Sequence, residues 1–96
     1  MKEEEKVYPE SFDFGVAISA LKDRQRVTRT GWNGKGMFLV IIRAGNAMFL
    51  GFDMQDCIGM KTAQGKMQPG WLASQNDMLA EDWQIFKEEE QPIVRS

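Results

Sequence analysis

The sequence has no histidine and a single cysteine, Cys57. Without histidine the chain lacks the commonest general base, the usual partner of a nucleophilic serine or cysteine, and the commonest zinc ligand. Carboxylates and lysines could still do acid–base work. The expectation is nevertheless a binding protein rather than an enzyme, with no cofactor and no metal. One cysteine rules out a disulfide within the chain and fits a reducing compartment. Long apolar runs are missing too. The most continuous, Met37 to Ile42, falls far short of the roughly 18–20 residues that span a bilayer, so no membrane role is expected. The opening Met1-Lys2-Glu3-Glu4-Glu5-Lys6 is acidic and has nothing like the apolar stretch of a signal peptide. The expected location is the cytoplasm.

Excess positive charge is also absent. Lys and Arg number 12 against 14 Asp and Glu, a net charge of -2. Tight nucleic-acid binding rests on basic patches that release counterions from phosphates, and no such excess exists here. The local cluster Arg24, Arg26 and Arg29 is enough to meet one or two phosphates of a small ligand.

What is present is an ordinary globular composition, 43% apolar and 27% charged over 96 residues. That length supports one domain with a thin core, so self-association is a plausible source of further burial. Residues 1–11 and 87–96 are rich in Glu, Lys, Pro and Ser and read as flexible tails. Residues 12–86 read as the single ligand-binding domain.

Phe14, Ala17, Ile18 and Leu21 recur at helical spacing, which predicts an amphipathic helix over 14–23 with Asp13 as its N-cap. Strands are predicted at Arg26 to Thr30 and at Met37 to Arg43. The second is apolar enough to be buried on both faces, one under the helix and the other under a second subunit. Asn33-Gly34 between them is a hairpin signal. Ala47 to Phe52 reads as a further short strand weakened by Gly51. A second hairpin is expected from Cys57–Thr62 and Lys66–Gln68 around Ala63-Gln64-Gly65, broken by Pro69-Gly70. Ser74 and Asp77 have the spacing of a capping box at the start of a short helix, and Trp83 to Phe86 reads as the closing strand. The fold class is α+β: an antiparallel sheet of about four to six strands, one longer N-terminal helix, and one short helix before the last strand.

Two places could carry ligand chemistry. The turn Gly31-Trp32-Asn33-Gly34-Lys35-Gly36 offers a ring to stack on a base, an amide to read a base edge or ribose, backbone N–H groups, and the charge of Lys35. The same residues also fit a plain hairpin with its tryptophan lying over the sheet. Trp71 with Ser74-Gln75-Asn76-Asp77 is the second place. Exposed N–H groups favour anions there, and Asp77 could bind a ribose diol, although capping alone also accounts for Ser74. Phe14 serves either the core or a ligand. Glu81 and Asp82 read as solvated charges at a helix end, and Trp83 as core.

In order along the chain stand Asp13-Phe14-Gly15, Ala20-Leu21-Lys22, Gly31-Trp32-Asn33-Gly34-Lys35-Gly36-Met37, Met60-Lys61-Thr62-Ala63, Trp71-Leu72-Ala73-Ser74-Gln75 and Asp77-Met78-Leu79-Ala80-Glu81-Asp82-Trp83. This series resembles the second Thoeris anti-defence family of phages over nearly all of residues 12 to 86. The Trp-Asn-Gly-Lys-Gly block and the Asp-Met-Leu-Ala-Glu-Asp-Trp block are specific in combination.

The resemblance implies a sponge for cyclic ADP-ribose isomers made by bacterial immune proteins, bound without cleavage in the cytoplasm of the infected host. It implies homotetramers with nucleotide pockets between subunits, and in some members cyclic dinucleotides bound at a separate site. On that basis Trp32 would stack on the adenine and Asn33 would fix the base or ribose. Trp71 and Phe14 would wall the pocket. Arg29 or Lys35, with the N–H groups near Ser74 and Gln75, would hold the diphosphate, and Asp77 would accept from a ribose hydroxyl. The rivals are a hydrolase of the same signal and an inhibitor that binds a host protein through Met and Phe of the central segment. Two departures stand out. Arg24 occupies a position where the family usually has a helix-ending glycine, which implies a different helix end. The stretch Ala44 to Gln55 matches no pattern of the family.

Overall fold

The computed structural model describes residues 7–32 and 35–87. Asn33-Gly34, residues 1–6 and residues 88–96 lie outside the described residues, and with them the Asn33 ligand contact, the hairpin signal and most of both expected tails. Within residues 7–11, Tyr8 is half-buried, packs on the Phe12 ring at 6.0 Å, and donates its hydroxyl to Asp23 at 2.9 Å.

Helix α1 runs Phe14–Lys22 and buries Ala17, Ala20 and Leu21, the stripe that helical spacing predicts. Its N-cap is Asp13, whose carboxylate accepts from the Val16 N–H at 3.0 Å. At the other end Gln25 N–H donates to Ala20 and Arg24 N–H to Leu21, which closes the helix in a Schellman turn. Arg24 takes the left-handed position with φ 67°. The different helix end implied by a non-glycine residue does not occur; the chain keeps the glycine geometry and carries the strain.

Among the described residues seven strands follow: β1 Val27–Arg29, β2 Phe38–Ile42, β3 Met48–Phe49, β4 Phe52–Asp53, β5 Cys57–Lys61, β6 Met67–Pro69 and β7 Trp83–Ile85. Five form one antiparallel sheet in the order β6-β5-β2-β1-β7, and β3 with β4 form a separate pair. Helix α2, Gln75–Leu79, precedes β7. The α+β class, the long and short helices and the antiparallel sheet are as the sequence predicts.

The segment Ala47 to Phe52 is not one strand. It folds back at Leu50-Gly51, with φ 53° and 80°, so that Phe49 pairs with Phe52. Positive φ at both central residues is the two-residue hairpin turn that matches strand twist. Gly51 is thus the second turn residue rather than a weak point in a strand.

Register sorts the side chains onto two faces, because residues directly opposite in a sheet point the same way. Val27 pairs with Leu39 and Ile85, and Leu39 with Met60. This face meets α1, and Val27, Leu39, Leu21, Ala17, Ala20, Phe12 and Trp83 form the buried core. Arg29 and Trp83 are register partners on the same face. Phe38, Val40 and Ile42 of β2 point the other way, beside Lys61, Gly59 and Cys57. Both described helices lie on the first face. Within one chain only Leu39 of β2 is buried, and its neighbours in the strand are half-buried.

Candidate functional site

Four aromatic residues from four different parts of the chain meet above the helix-covered face. Trp83 at the start of β7 is fully buried and its indole N–H donates to the Asp77 carbonyl at 3.0 Å. Around it stand Trp32 at 5.4 Å between centroids, Phe14 at 5.5 Å and Trp71 at 6.3 Å. The Trp32 and Trp71 rings meet Trp83 nearly edge-on, at 79° and 86°, the arrangement that ring quadrupoles favour. Trp71 also lies 6.4 Å from both Phe14 and Trp32. Trp83 is core, as its sequence context predicts. The other three rings are half-buried, with one side against Trp83 and part of each surface open to water.

Beside the rings lies a compact charged network. Arg29, on β1, donates from Nη1 to Asp77 at 2.9 Å and from Nε to Asp82 at 2.8 Å. Asp77 is the N3 residue of α2. Its Oδ1 also accepts from the Trp32 indole N–H at 3.4 Å, and its Oδ2 accepts from the Ser74 backbone N–H at 3.0 Å and the Ser74 hydroxyl at 2.9 Å. Ser74 Oγ in turn accepts from the Asp77 N–H at 3.1 Å, which completes the predicted capping box. Four donors therefore fill the four lone-pair directions of the Asp77 carboxylate.

Burial of Asp77 alone would raise its pKa and is the largest single influence on it. The Ser74 backbone N–H, Arg29, the Ser74 hydroxyl and Trp32 together outweigh it and hold the carboxyl below its ordinary value. Asp82 is also held low, chiefly by the hydrogen bond from Arg29, against a smaller effect of burial and with help from the Gly31 N–H. The Arg29 guanidinium is shifted upward, first by its bond to Asp82 and then, against its own burial, by the bond to Asp77.

Asp82 is the residue that sequence reasoning misplaced. It is half-buried, and its Oδ2 accepts from the Gly31 N–H at 2.8 Å. Its carbonyl accepts from the Thr30 N–H at 3.1 Å. Asp82 thus ties the start of the Gly31–Gly36 turn to the end of α2. The available signal was its place just before Trp83, the register partner of Arg29. Glu81 is exposed, as a solvated charge should be.

Of the residues singled out in the sequence, the fold brings Phe14, Trp32 and Trp71 together around Trp83, and joins Arg29, Trp32, Ser74 and Asp77 through hydrogen bonds. Lys35 is exposed on the turn and Gln75 on the first residue of α2. Among the described residues, neither belongs to the network. Of the other two clustered arginines, Arg26 lies over the Phe38 and Phe86 rings, at 5.1 and 5.4 Å, on the opposite face, and Arg24 closes α1. The arginine cluster of the sequence is therefore dispersed in space, and Arg29 alone reaches the aromatic group. Among the described residues, no group of three or more carboxylates and cysteines is placed to hold a metal ion.

The arrangement offers flat, rigid, half-open aromatic surfaces beside a cation, which suits stacking of a planar heterocycle carrying negative charge. The profile of the Thoeris anti-defense 2-like domain matches residues 12–86. The protein named Thoeris anti-defense 2 of Bacillus phage SP01 is 40% identical over 83 residues, a match that covers 75% of this chain and 91% of the relative.

Proposed function

This chain belongs to the Thoeris anti-defense 2-like family, and from that premise we propose that it sequesters a cyclic ADP-ribose isomer without cleaving it. The observation that carries the reading is the half-open aromatic group Trp32, Trp71 and Phe14, built on a buried tryptophan and flanked by Arg29. A stacking platform of that kind binds an adenine by its face and contributes about 1–3 kcal/mol per base.

In this reading Trp32 stacks on the adenine, Asn33 reads the base or ribose, and Trp71 with Phe14 closes the sides. Asp77, whose acceptor positions are occupied within the chain, holds Trp32 and Arg29 in place instead of accepting from the ribose itself. Arg29 spends Nε and Nη1 on carboxylates. Its Nη2, with Lys35 and the start of α2 near Ser74 and Gln75, is left to meet the diphosphate. The platform is open on the side away from Trp83, which suits a pocket completed by a second copy, in a homotetramer as the family resemblance implies. The setting is the cytoplasm of the infected bacterium. Cyclic dinucleotides are further candidates for the same chain.

Calorimetry with a panel of cyclic ADP-ribose isomers and cyclic dinucleotides tests the reading. One member of the panel should bind with a dissociation constant near nanomolar, about -12 kcal/mol, because a sponge must compete with an effector. Absence of heat with every member would overturn the reading in favour of an inhibitor that binds a host protein.

A further inference from the structure

The segment between β2 and β5 projects as an arm whose apolar side chains the chain does not cover. Met48, Phe49, Leu50 and Phe52 are 59%, 64%, 79% and 74% exposed. They sit on the two-stranded pair β3–β4, which belongs to no larger sheet. A lone two-stranded hairpin is marginal in water, and a contiguous apolar tip of this kind marks a contact surface.

The same chain carries a surface that fits the arm. The sheet face without a helix presents Phe38, Val40 and Met67, and at its β5–β6 end lies a shallow concavity of about 440 Å³ lined by Thr62, Gln64, Lys66, Met67, Gln68 and Pro69. That space is large enough for a phenylalanine ring. Charge matches as well. The arm carries Asp53 on β4, while Asp56 at its base is paired with Arg43 at 3.5 Å. The receiving face has Lys61, with Lys66 lining the concavity and Arg26 stacked on Phe38.

The arm does not fill its own concavity, since Phe49 and Phe52 stay 64% and 74% exposed. It leaves the sheet at Ile42 and Cys57, whereas the concavity lies beyond Lys61 at the far end of β5. Four residue steps at about 3.3 Å each set the two roughly 13 Å apart along the strand.

We infer that the β3–β4 arm of one copy docks through Phe49 and Phe52 on the open sheet face of a second copy, reciprocally about a two-fold axis. The contact is self-complementary, as a two-fold interface requires. It also supplies the second layer that β2 needs on the face its own helix does not cover. The inference rests on the shared-pocket part of the functional reading and names the surface that would bring the copies together.

Light scattering on the full chain tests it, with the wild type beside the arm double variant F49D/F52D and the face variant M67D. Near-UV circular dichroism of the Trp32–Trp71–Trp83 group checks the fold. The wild type should be a multimer of the 11.0 kDa chain, and both variants should fall to half its mass or less with the tryptophan signal retained. A covalent readout covers the case of poor folding. In a C57S background, F49C with M67C should give an intermolecular disulfide on mild oxidation, and neither single cysteine should. A wild-type multimer whose mass survives both sets of substitutions, or a double cysteine that does not cross-link, overturns the arm contact and leaves the shared pocket standing. A wild type at 11.0 kDa overturns both, while nucleotide binding is still decided separately by calorimetry.

Discussion

Trp32 does two jobs at once. Its ring packs edge-on against Trp83, and its indole N–H reaches Asp77. Replacing it with alanine should leave the core, which is built on Trp83, Leu21, Leu39 and Val27, but remove the platform. Ligand affinity should fall by about 5- to 150-fold, equivalent to 1–3 kcal/mol, as read by calorimetry, with a smaller change in urea stability. Asp77→Asn should act first on stability. It removes the charge that Arg29 and the Ser74 groups contact at a site only 12% exposed, and should cost about 2 kcal/mol in urea unfolding. The carboxylates also set a pH dependence. Asp77 and Asp82 have folded pKa values below their unfolded ones, so the unfolded chain takes up protons first as pH falls. Their stabilisation is therefore complete above the ordinary Asp value near 3.9 and is lost as pH drops from there through the lower folded values. The urea midpoint should be flat from about pH 7 to pH 5 and decline below about pH 4, and the decline should be shallower in Asp77→Asn. A midpoint that rises on acidification would contradict the network.

At the scale of elements, local signals were strong where one residue type serves one geometry. Asp13 as N-cap, the Ser74–Asp77 capping box and the helical stripe of α1 follow directly from side-chain chemistry. The β3–β4 pair escaped notice because a two-residue hairpin normally announces itself with Asn or Gly at both turn positions, and here Leu50 takes the first at φ 53°. The candidate site was legible in its residue types, since Phe14, Trp32 and Trp71 do come together. Its electrostatics were not. Arg29 and Asp82 are 53 positions apart, and no local periodicity encodes that meeting. The helix end gives a direct test. Arg24 stands in the left-handed region within a Schellman turn, where a Cβ costs roughly 1 kcal/mol. Arg24→Gly should raise stability by about that amount in urea unfolding. Loss of stability would mean that the Arg24 side chain supplies more than the backbone strain removes.

The described molecule is one five-stranded sheet with both described helices on one face and an apolar strand showing through on the other, a separate β3–β4 pair, and an aromatic platform where α2 meets β7. Among the described residues, seven fully or nearly buried apolar side chains make a small core. Membership of the Thoeris anti-defense 2-like family gives the platform its setting, and the role proposed for it is to hold a cyclic nucleotide without breaking it. The most direct test of that claim is a recovery measurement. The protein is loaded with an equimolar cyclic ADP-ribose isomer that calorimetry has shown to bind, held long enough for many turnovers of an ordinary enzyme, then denatured, and the released nucleotide is separated by chromatography. The sponge account predicts that the cyclic ligand returns intact and in stoichiometric amount. Recovery of linear ADP-ribose in its place would contradict it.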